Sequence, residues 1–456
     1  MRSEADVVVV GLGPGGEEAA GRLADAGLDV LGIDGGLVGG ECPYWGCVPS
    51  KMMIRAANLL AEARRVPGMA GSTTVVPDWA PVARRIRQEA TDDWDDRVAV
   101  ERLERRGARF RRGWARLEGP RQVELDGDTV HARRGVLLDT GTVPWAPPVP
   151  GLSEAAYWTN RDAVEAEVLP RSLVVLGGGA IGVELAQVFA RFGVDVTVVE
   201  VADRLLALEE PESGALLSSV FAAEGIAVHV GAHIDSVRHG DTGVTLELQG
   251  VGSVTGEHLL VATGRRPDLA ALGVASVGLD DTARALEVDG HMRVAEGLWA
   301  IGDVTGHGAF THMSMYEAAI AVDDILGRPG PEAQYHAVPR VTFTDPEIGS
   351  VGLSESAARA AGLSVRTGRS EIPSSSRGWI HKAGNEGFIK LVEDAGRGVL
   401  VGATSAGPTG GEVLGLLTLA VHAAVPTVEL ARMIYAYPTF HRAVEDALRD
   451  LRTDAG

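Results

Sequence analysis

The stretch Asp6-Val7-Val8-Val9-Val10-Gly11-Leu12-Gly13-Pro14-Gly15-Gly16 decides the fold of this 456-residue chain. Its continuous apolar run is typical of a parallel strand that is buried on both faces. Glycines at Gly11, Gly13 and Gly16 allow a tight turn and a close approach of the backbone to a pyrophosphate at the start of the following helix. The next strand ends in Asp34, an acid at the spacing of one that binds a ribose hydroxyl. The pattern predicts a dinucleotide-binding unit.

The same pattern occurs a second time along the chain. A strand over Ser172 to Leu176 precedes a GxGxxG sequence that begins at Gly177, and the strand after the helix ends in Glu200. Two complete fingerprints imply two different dinucleotides. An acid at this position favours a free 2′-hydroxyl and repels a 2′-phosphate, so the sequence predicts NADH over NADPH. Arg204 lies close enough along the chain to oppose that preference.

Residues 39–51 read Gly-Gly-Glu-Cys-Pro-Tyr-Trp-Gly-Cys-Val-Pro-Ser-Lys and hold the two cysteines of the chain, Cys42 and Cys47. Their sulfurs come within bonding reach if this segment opens a helix. A zinc site would need two more Cys or His at a suitable spacing, and none stands near. A structural disulfide does not fit a chain without a secretory signal. We therefore predict a redox-active pair. A helix from Cys47 through Arg64 would lower the pKa of a thiol at its start.

Composition excludes several classes of protein. The net charge of −20 and the pI of about 5.1 argue against nucleic acid or an anionic membrane as a partner. No apolar run approaches the roughly 18 residues that a membrane span needs, and we expect a cytoplasmic protein. Its lysines are Lys51, Lys382 and Lys390 in a chain that otherwise uses arginine. Lys51 follows the cysteine pair. Either chance or a need for a compact ammonium explains why lysine, and not arginine, stands at this position.

The remaining segments complete the predicted domain organisation. A long helix is expected from Val82 to Arg106, and the strand Leu298 to Asp303 ends in an acid that would accept from a ribityl chain. The region after the Pro/Gly break near residue 330 reads as an α+β domain without a nucleotide fingerprint. We predict dinucleotide-binding segments at 1–150, 151–270 and 271–333, the first and third forming one domain, and an interface domain at 334–456.

Taken together, these motifs resemble the class I pyridine nucleotide–disulfide oxidoreductases, flavoproteins that include dihydrolipoamide dehydrogenase, glutathione reductase and mercuric reductase. The resemblance covers the whole chain. It rests on both GxGxxG sequences, on residues 39–51, on Glu184, and on the segments 262–265, 300–303 and 343–347. It implies an α/β fold with two Rossmann-like domains, for FAD and NAD(P), and a C-terminal α+β dimerisation domain. It also implies a homodimer whose active site is shared between subunits.

The resemblance further implies roles for individual residues. Cys47 would face the flavin as the charge-transfer thiolate, and Cys42 would be the interchange thiol that meets the substrate. Lys51 would lie beside the flavin and pair with Glu184. The other FAD-binding residues would be Gly11, Gly13, Gly15, Gly16, Asp34, Gly40, Glu41, Thr140, Gly141, Gly302 and Asp303. Those for NAD(P) would be Gly177, Gly179, Ile181, Gly182, Glu200 and Gly264. No metal site is predicted.

The chain departs from this family near its C-terminus. Thiol-active members carry His-Pro-Thr there, and the His handles the proton of the interchange thiol. Here Tyr437 stands in place of that His and Arg442 in place of the Glu that follows it. A phenol, with a pKa near 10, is a poor proton acceptor at neutral pH. His441 and Glu445, one helical turn apart, would either form a displaced dyad or lie on the surface.

Residues 43–45, Pro-Tyr-Trp, replace the small and amide residues that are usual between the two cysteines. Both aromatic rings would either stack on a flat substrate or pack the flavin pocket. The leading prediction is an FAD-dependent NADH oxidoreductase that passes electrons through the cysteine pair to a small-molecule acceptor. The acceptor would be a quinone, a thiophilic metal ion or an unusual disulfide. The alternatives are a dihydrolipoamide dehydrogenase-like disulfide reductase that uses the His441/Glu445 dyad, and a non-catalytic redox-sensing flavoprotein.

Overall fold

The computed structural model describes residues 4–240 and 243–453 and divides the chain into two compact units. The first unit comprises Met1–Ser50, Ala83–Trp145 and Gly264–Gln334, and the second comprises Lys51–Val82, Ala146–Thr263 and Tyr335–Gly456. Two helices, Cys47–Arg65 and Ala80–Arg85, include residues of both units. No helix within the described residues is long and apolar enough to cross a membrane.

An eight-stranded sheet organises the first unit. Its central strand, Glu4–Val10, pairs in parallel with Val30–Asp34 on one side and with Asp128–Leu138 on the other. The remaining strands are Arg109–Arg112, Arg116–Gly119, Gln122–Leu125, Arg293–Ala295 and Leu298–Ala300, and Val143–Pro144 pairs separately with Arg265–Arg266. The helices are Pro14–Asp25, Glu41–Tyr44, Arg97–Arg105, Leu269–Leu272 and Thr311–Ile325, with 3₁₀ turns at Val274–Val277 and Gly302–Thr305. The predicted first strand and glycine turn are confirmed.

The long helix expected from Val82 to Arg106 is wrong. The chain forms Ala80–Arg85, a π-helical turn Ile86–Ala90 and a separate helix Arg97–Arg105. Between them Asp92, Asp93 and Trp94 all have positive φ values, from 47° to 60°, which an α-helix does not allow. Asp96 then turns inward, where its buried carboxylate accepts from the Val38 amide at 2.7 Å. Burial of that acid and the left-handed turn override a helical pattern.

Three sheets build the second unit. A parallel sheet has the order Ala227–His229, Asp195–Val199, Ser172–Leu176 and His258–Val261, and an antiparallel sheet comprises Ile234–Gly240, Gly243–Leu248 and Gly252–Gly256. An antiparallel five-stranded sheet has the order Pro339–Thr342, Glu347–Gly352, Val399–Gly407, Phe388–Asp394 and Val365–Glu371. The helices are Asn160–Glu165, Ala180–Arg191, Pro211–Ala223, Glu355–Ala360, Ser376–His381, Gly410–His422, Thr427–Leu430 and Arg442–Thr453. This α+β arrangement agrees with the fold class predicted for the C-terminal region.

A buried lysine ties separate elements of the second unit together. The Lys390 ammonium lies 3.0 Å from Glu210, 2.8 Å from Glu212 and 3.0 Å from Glu355. Burial by itself would lower the pKa of Lys390, but the three carboxylates outweigh it and raise that pKa to about 12. The three carboxylates therefore keep Lys390 charged. Removal of the Lys390 ammonium would leave the buried Glu210 carboxylate without this positive partner.

We expect Lys390→Met to lower the free energy of unfolding by about 3 kcal/mol or more, because breaking a buried ion pair leaves an uncompensated charge. Urea denaturation monitored by circular dichroism would measure the loss, with Lys382→Met at an exposed position as the matched control. Because the pKa of Lys390 is raised on folding, its contribution should be complete below the ordinary lysine pKa of about 10.4 and disappear as the pH rises through about 12. Equal losses in both variants would contradict this role.

Candidate active site

The glycine turn of the first unit forms a closed cradle beside Asp34. The Asp34 carboxylate accepts from the Leu12 amide at 2.6 Å and from the Gly36 amide at 2.7 Å. A Cβ at Gly11, whose φ is +87°, would lie 2.3 Å from the carbonyl oxygen of Asp139. The residue before the helix Pro14–Asp25 is Gly13, which provides no side-chain cap, and the partial positive charge of this helix end suits an anion. This geometry fits the diphosphate and ribose of a dinucleotide.

Asp303 lies in the 3₁₀ turn Gly302–Thr305, directly after the strand Leu298–Ala300. The Thr142 hydroxyl donates to its carboxylate at 2.9 Å, and Arg265 donates to the same hydroxyl at 3.0 Å. Burial raises the pKa of Asp303, and burial also raises the pKa of Asp34 against the two amides that it accepts from. Both predicted acids are thus partly buried and anchored within the first unit.

Sequence reasoning missed a third acid of this cradle. Asp139 is buried, and its carboxylate accepts from the Gly16 amide at 2.6 Å and from the Ser314 hydroxyl at 3.0 Å. Burial raises its pKa well above the ordinary value. The family resemblance pointed only to its neighbours Thr140 and Gly141, because nothing local shows that a residue after a strand packs beneath a glycine turn far away in the chain.

The other predicted FAD-binding residues also lie in the first unit. Gly40 has a φ of +67° and precedes the short helix Glu41–Tyr44, and Glu41 lies 3.7 Å from Arg265. Gly302 donates its amide to the fully buried Glu317 at 2.6 Å. Gly13, Gly15, Thr140 and Gly141 also lie in this unit. Gly264, which was predicted to bind NAD(P), lies in the first unit as well, where its carbonyl oxygen accepts from the Trp145 amide at 3.0 Å.

The second fingerprint repeats the first within the second unit. The Glu200 carboxylate accepts from the Gly178 amide at 2.5 Å and from the Ala202 amide at 2.7 Å, as Asp34 does in the first unit. A Cβ at Gly177, with a φ of +115°, would lie 2.4 Å from the Ala262 carbonyl oxygen. The helix Ala180–Arg191 follows Gly179 without a side-chain cap, and it contains Ile181 and Gly182. A second dinucleotide therefore fits here.

Arg204, which opposed the prediction of NADH, is engaged elsewhere. Its guanidinium lies 3.0 Å from the Asp203 carboxylate and donates to the Ala207 carbonyl oxygen at 2.8 Å. These two contacts occupy the Nη1 and Nη2 atoms of the guanidinium.

Cys42 lies in the short helix Glu41–Tyr44 and Cys47 begins the helix Cys47–Arg65, and both belong to the first unit. Both residues are thiols, with Cys42 half-buried and Cys47 exposed. A hydrogen bond with Cys47 raises the pKa of Cys42, burial raises it further, and a hydrogen bond with Thr311 acts in the opposite direction. The Thr311 hydroxyl also lies 3.4 Å from the Cys47 sulfur. Cys42 therefore holds its proton more strongly than an isolated cysteine does.

The two aromatic residues between the cysteines are unequal. Tyr44 is buried, and burial raises its pKa to about 12, so it packs the core and offers no face to a substrate. Trp45 is half-buried, with its ring centroid 5.8 Å from that of Tyr44. Of the two rings, Trp45 is therefore the one that could stack on a flat substrate, and Tyr44 is not.

One helical turn beyond Cys47, Lys51 makes an ion pair inside the second unit. Its ammonium lies 2.9 Å from the Glu184 carboxylate and 4.6 Å from the centre of the Phe343 ring. The second oxygen of Glu184 accepts from the Phe343 amide at 2.8 Å. Two partners thus fix a buried carboxylate on the helix Ala180–Arg191, and that carboxylate positions the ammonium.

The structure does not form the displaced dyad of His441 and Glu445. Glu445 instead lies 2.8 Å from Arg442 and also pairs with Arg449, and no hydrogen bond joins it to His441 within the described residues. The Arg442 guanidinium lies 5.5 Å from the centre of the Tyr437 ring. The arginine that stands in place of the family's glutamate therefore holds Glu445, the acid that the dyad would need, and also lies against the Tyr437 ring.

Comparison with known proteins agrees with this architecture. Residues 5–323 match the model of the pyridine nucleotide-disulphide oxidoreductases, and residues 338–448 match the dimerisation domain of the same family. A dihydrolipoyl dehydrogenase of Chlorobaculum tepidum is 34% identical over 100% of this chain and 99% of its own length. A mercuric reductase of Streptomyces lividans is 32% identical over 98% of this chain and 96% of its own.

Solved structures show the same fold. LpdA of Mycobacterium tuberculosis superposes with a TM-score of 0.85 at 27% identity, covering 98% of this chain and 99% of its own. The Cu(II) complex of RclA, an HOCl-induced flavoprotein disulfide reductase of Escherichia coli, superposes with a TM-score of 0.86 at 24% identity and the same coverage.

Two dinucleotide cradles and a cysteine pair at a helix start define a flavin-dependent disulfide oxidoreductase. The chain belongs to the pyridine nucleotide–disulfide oxidoreductase family. This family uses FAD and NAD(P)H, and the chain carries its dimerisation domain. The family and fold class predicted from the sequence are confirmed.

Proposed function

We propose that this protein is an NADH-dependent oxidoreductase that passes electrons through Cys42 and Cys47 to an acceptor needing no histidine acid–base. FAD would bind in the cradle of Asp34, Asp139 and Asp303, where it would supply two-electron transfer between nicotinamide and the disulfide. Cys42 would meet the acceptor, and Lys51 would be positioned by Glu184. The replacement of His by Tyr437, with Arg442 against its ring, is the observation that carries this proposal.

The acceptors that fit are those that take electrons with little help in proton transfer, namely a quinone, a thiophilic metal ion or an unusual disulfide. The reduced cysteine pair, with one thiol and one thiolate, suits such acceptors because the thiolate sulfur is both a nucleophile and a soft metal ligand. A second candidate is dihydrolipoamide dehydrogenase activity, the activity for which the Chlorobaculum tepidum relative is named. The bonds of Glu445 to Arg442 and Arg449 favour the first candidate.

An anaerobic NADH titration of the flavin-loaded protein tests this function. We expect NADH to convert the oxidised pair into two thiols, counted by iodoacetamide alkylation and peptide mass spectrometry. Benzoquinone should then accept two electrons and two protons from the thiols, giving the disulfide and hydroquinone, much faster than lipoamide does. Rapid turnover of dihydrolipoamide would favour the second candidate. Absence of NADH-dependent thiols would favour a non-catalytic, redox-sensing flavoprotein.

We also propose NADH as the preferred cofactor, because Glu200 would repel a 2′-phosphate while Arg204 is held by Asp203 and Ala207. We expect kcat/KM to be at least about tenfold higher with NADH than with NADPH, a difference of about 1.4 kcal/mol in transition-state binding. The variant Glu200→Gln should lose much of this preference, and Asp195→Asn, at the exposed start of the strand that precedes Glu200, serves as a charge-matched control. An equal kcat/KM for both cofactors in the unaltered protein would contradict the prediction.

We propose that the working form is a homodimer that shares its active site between subunits. The dimerisation domain exposes apolar side chains that a partner would cover, among them Ile434, which is 96% exposed, and Tyr437, which is 67% exposed. Sedimentation velocity should give the mass of a dimer. A stable monomer would separate Tyr437 and His441 from the chemistry at Cys42.

A further inference from the structure

Thr311 contacts both sulfurs of the cysteine pair, although it stands 264 residues after Cys47 in the chain. Its hydroxyl oxygen lies 3.4 Å from the Cys47 sulfur, and the same hydroxyl hydrogen-bonds Cys42. A threonine hydroxyl provides one donated proton and two accepting lone pairs. It can therefore donate to one sulfur while it accepts from the thiol of the other.

The position of Thr311 in its helix favours an anion beside it. Thr311 is the first residue of the 15-residue helix Thr311–Ile325, and the preceding Phe310 provides no side-chain cap. The first turn of such a helix carries a partial positive charge and amides without intrahelical partners. A thiolate placed here gains from the hydroxyl and from the helix end, two independent sources of stabilisation.

The reduced pair needs such a stabilising group. Two-electron reduction of the disulfide with uptake of one proton gives one thiol and one thiolate, so the pair carries a single negative charge. In family members with His-Pro-Thr, an imidazole stands near to handle that proton, whereas Tyr437 occupies this position here. Glu41, which precedes Cys42 in the chain, lies 3.7 Å from Arg265, and His312, which follows Thr311, is exposed.

We propose that Thr311 is a further catalytic residue, whose hydroxyl donates a hydrogen bond to the thiolate of the reduced pair and keeps the pair singly ionised at neutral pH. This role rests on the proposed function, because it concerns the reduced state that NADH would produce. The hydroxyl gives no proton away in the step. It donates to whichever sulfur bears the charge, so that Cys42 can react as a thiolate when the shared proton lies at Cys47.

The test compares Thr311→Val, which keeps the shape and loses the hydroxyl, with Thr311→Ser, which keeps the hydroxyl. The flavin-loaded proteins are reduced with dithiothreitol, freed of it, and alkylated with iodoacetamide at a series of pH values. Peptide mass spectrometry then gives the alkylation rate of Cys42 and of Cys47 separately. Because a hydrogen bond to a charged group stabilises the charge, we expect the pH midpoint of alkylation to rise by about one unit or more in the valine variant.

The serine variant should retain the midpoint of the unaltered protein within a few tenths of a pH unit. An unshifted midpoint in the valine variant would overturn the inference. An equal shift in the serine variant would also overturn it, because loss of the threonine methyl and its packing would then explain the shift. If the valine variant fails to fold, Thr311→Ala replaces it with the same expectation. Dithiothreitol reduction makes this result independent of NADH, whereas NADH-dependent appearance of thiols tests the proposed function by itself.

Discussion

Replacing Cys42 with serine should lower the turnover of every acceptor that receives electrons through the cysteine pair by roughly 10⁴-fold or more, as removal of a reacting nucleophile does in other enzymes. Serine can form neither the disulfide nor a thiolate. Because Cys42 is half-buried and the substitution is nearly isosteric, the free energy of unfolding should change little. The measurement is anaerobic NADH oxidation with quinone, Hg²⁺ and lipoamide as acceptors.

Cys47→Ser is the matched control, since it also prevents the disulfide but leaves the other sulfur. Loss of Cys47 removes the hydrogen bond that is the largest cause of the raised pKa of Cys42, so the lone Cys42 should react with iodoacetamide at lower pH than in the reduced pair. Full quinone turnover by Cys42→Ser would show that electrons reach this acceptor without the pair. That outcome would contradict the proposed route for quinones.

The double variant Tyr437→His with Arg442→Glu should raise dihydrolipoamide-dependent NAD⁺ reduction by about 10²–10⁴-fold, the usual contribution of one general acid–base. The two changes restore the family's His and the Glu that follows it. Tyr437 is mostly exposed, so its replacement removes little buried apolar surface. Arg442 would no longer occupy Glu445, which keeps its ion pair with Arg449.

Tyr437→Phe controls for the phenol, and it should leave dihydrolipoamide turnover as low as in the unaltered protein. Tyr437→His by itself should recover part of the gain, because its imidazole would lack an orienting carboxylate. Steady-state rates at several pH values measure the effect. If the double variant gains nothing while NADH still reduces the pair, position 437 does not reach the thiols, and the shared active site is wrong.

Local sequence determined the architecture because its signals are short in range. A buried strand, a GxGxxG turn and an acid at a set spacing specify a dinucleotide unit wherever they occur, and both units formed around Asp34 and Glu200 as expected. The spacing of four residues between Cys42 and Cys47 similarly predicted that their sulfurs could come within bonding reach. The long helix over 82–106 failed because burial of Asp96 and three left-handed residues override a helical pattern.

Only the tertiary structure decided which distant side chains surround the chemistry. Thr311 reaches Cys47 across 264 positions, and Asp139 reaches Gly16 across 123. Tyr44 and Trp45 are neighbours with equal sequence signals, yet one is buried and the other half-buried. Glu445 could serve His441 by spacing, but the arginines at 442 and 449 hold it instead. Periodicity and motif spacing describe neighbours along the chain, whereas burial and long-range hydrogen bonds depend on where packed elements meet.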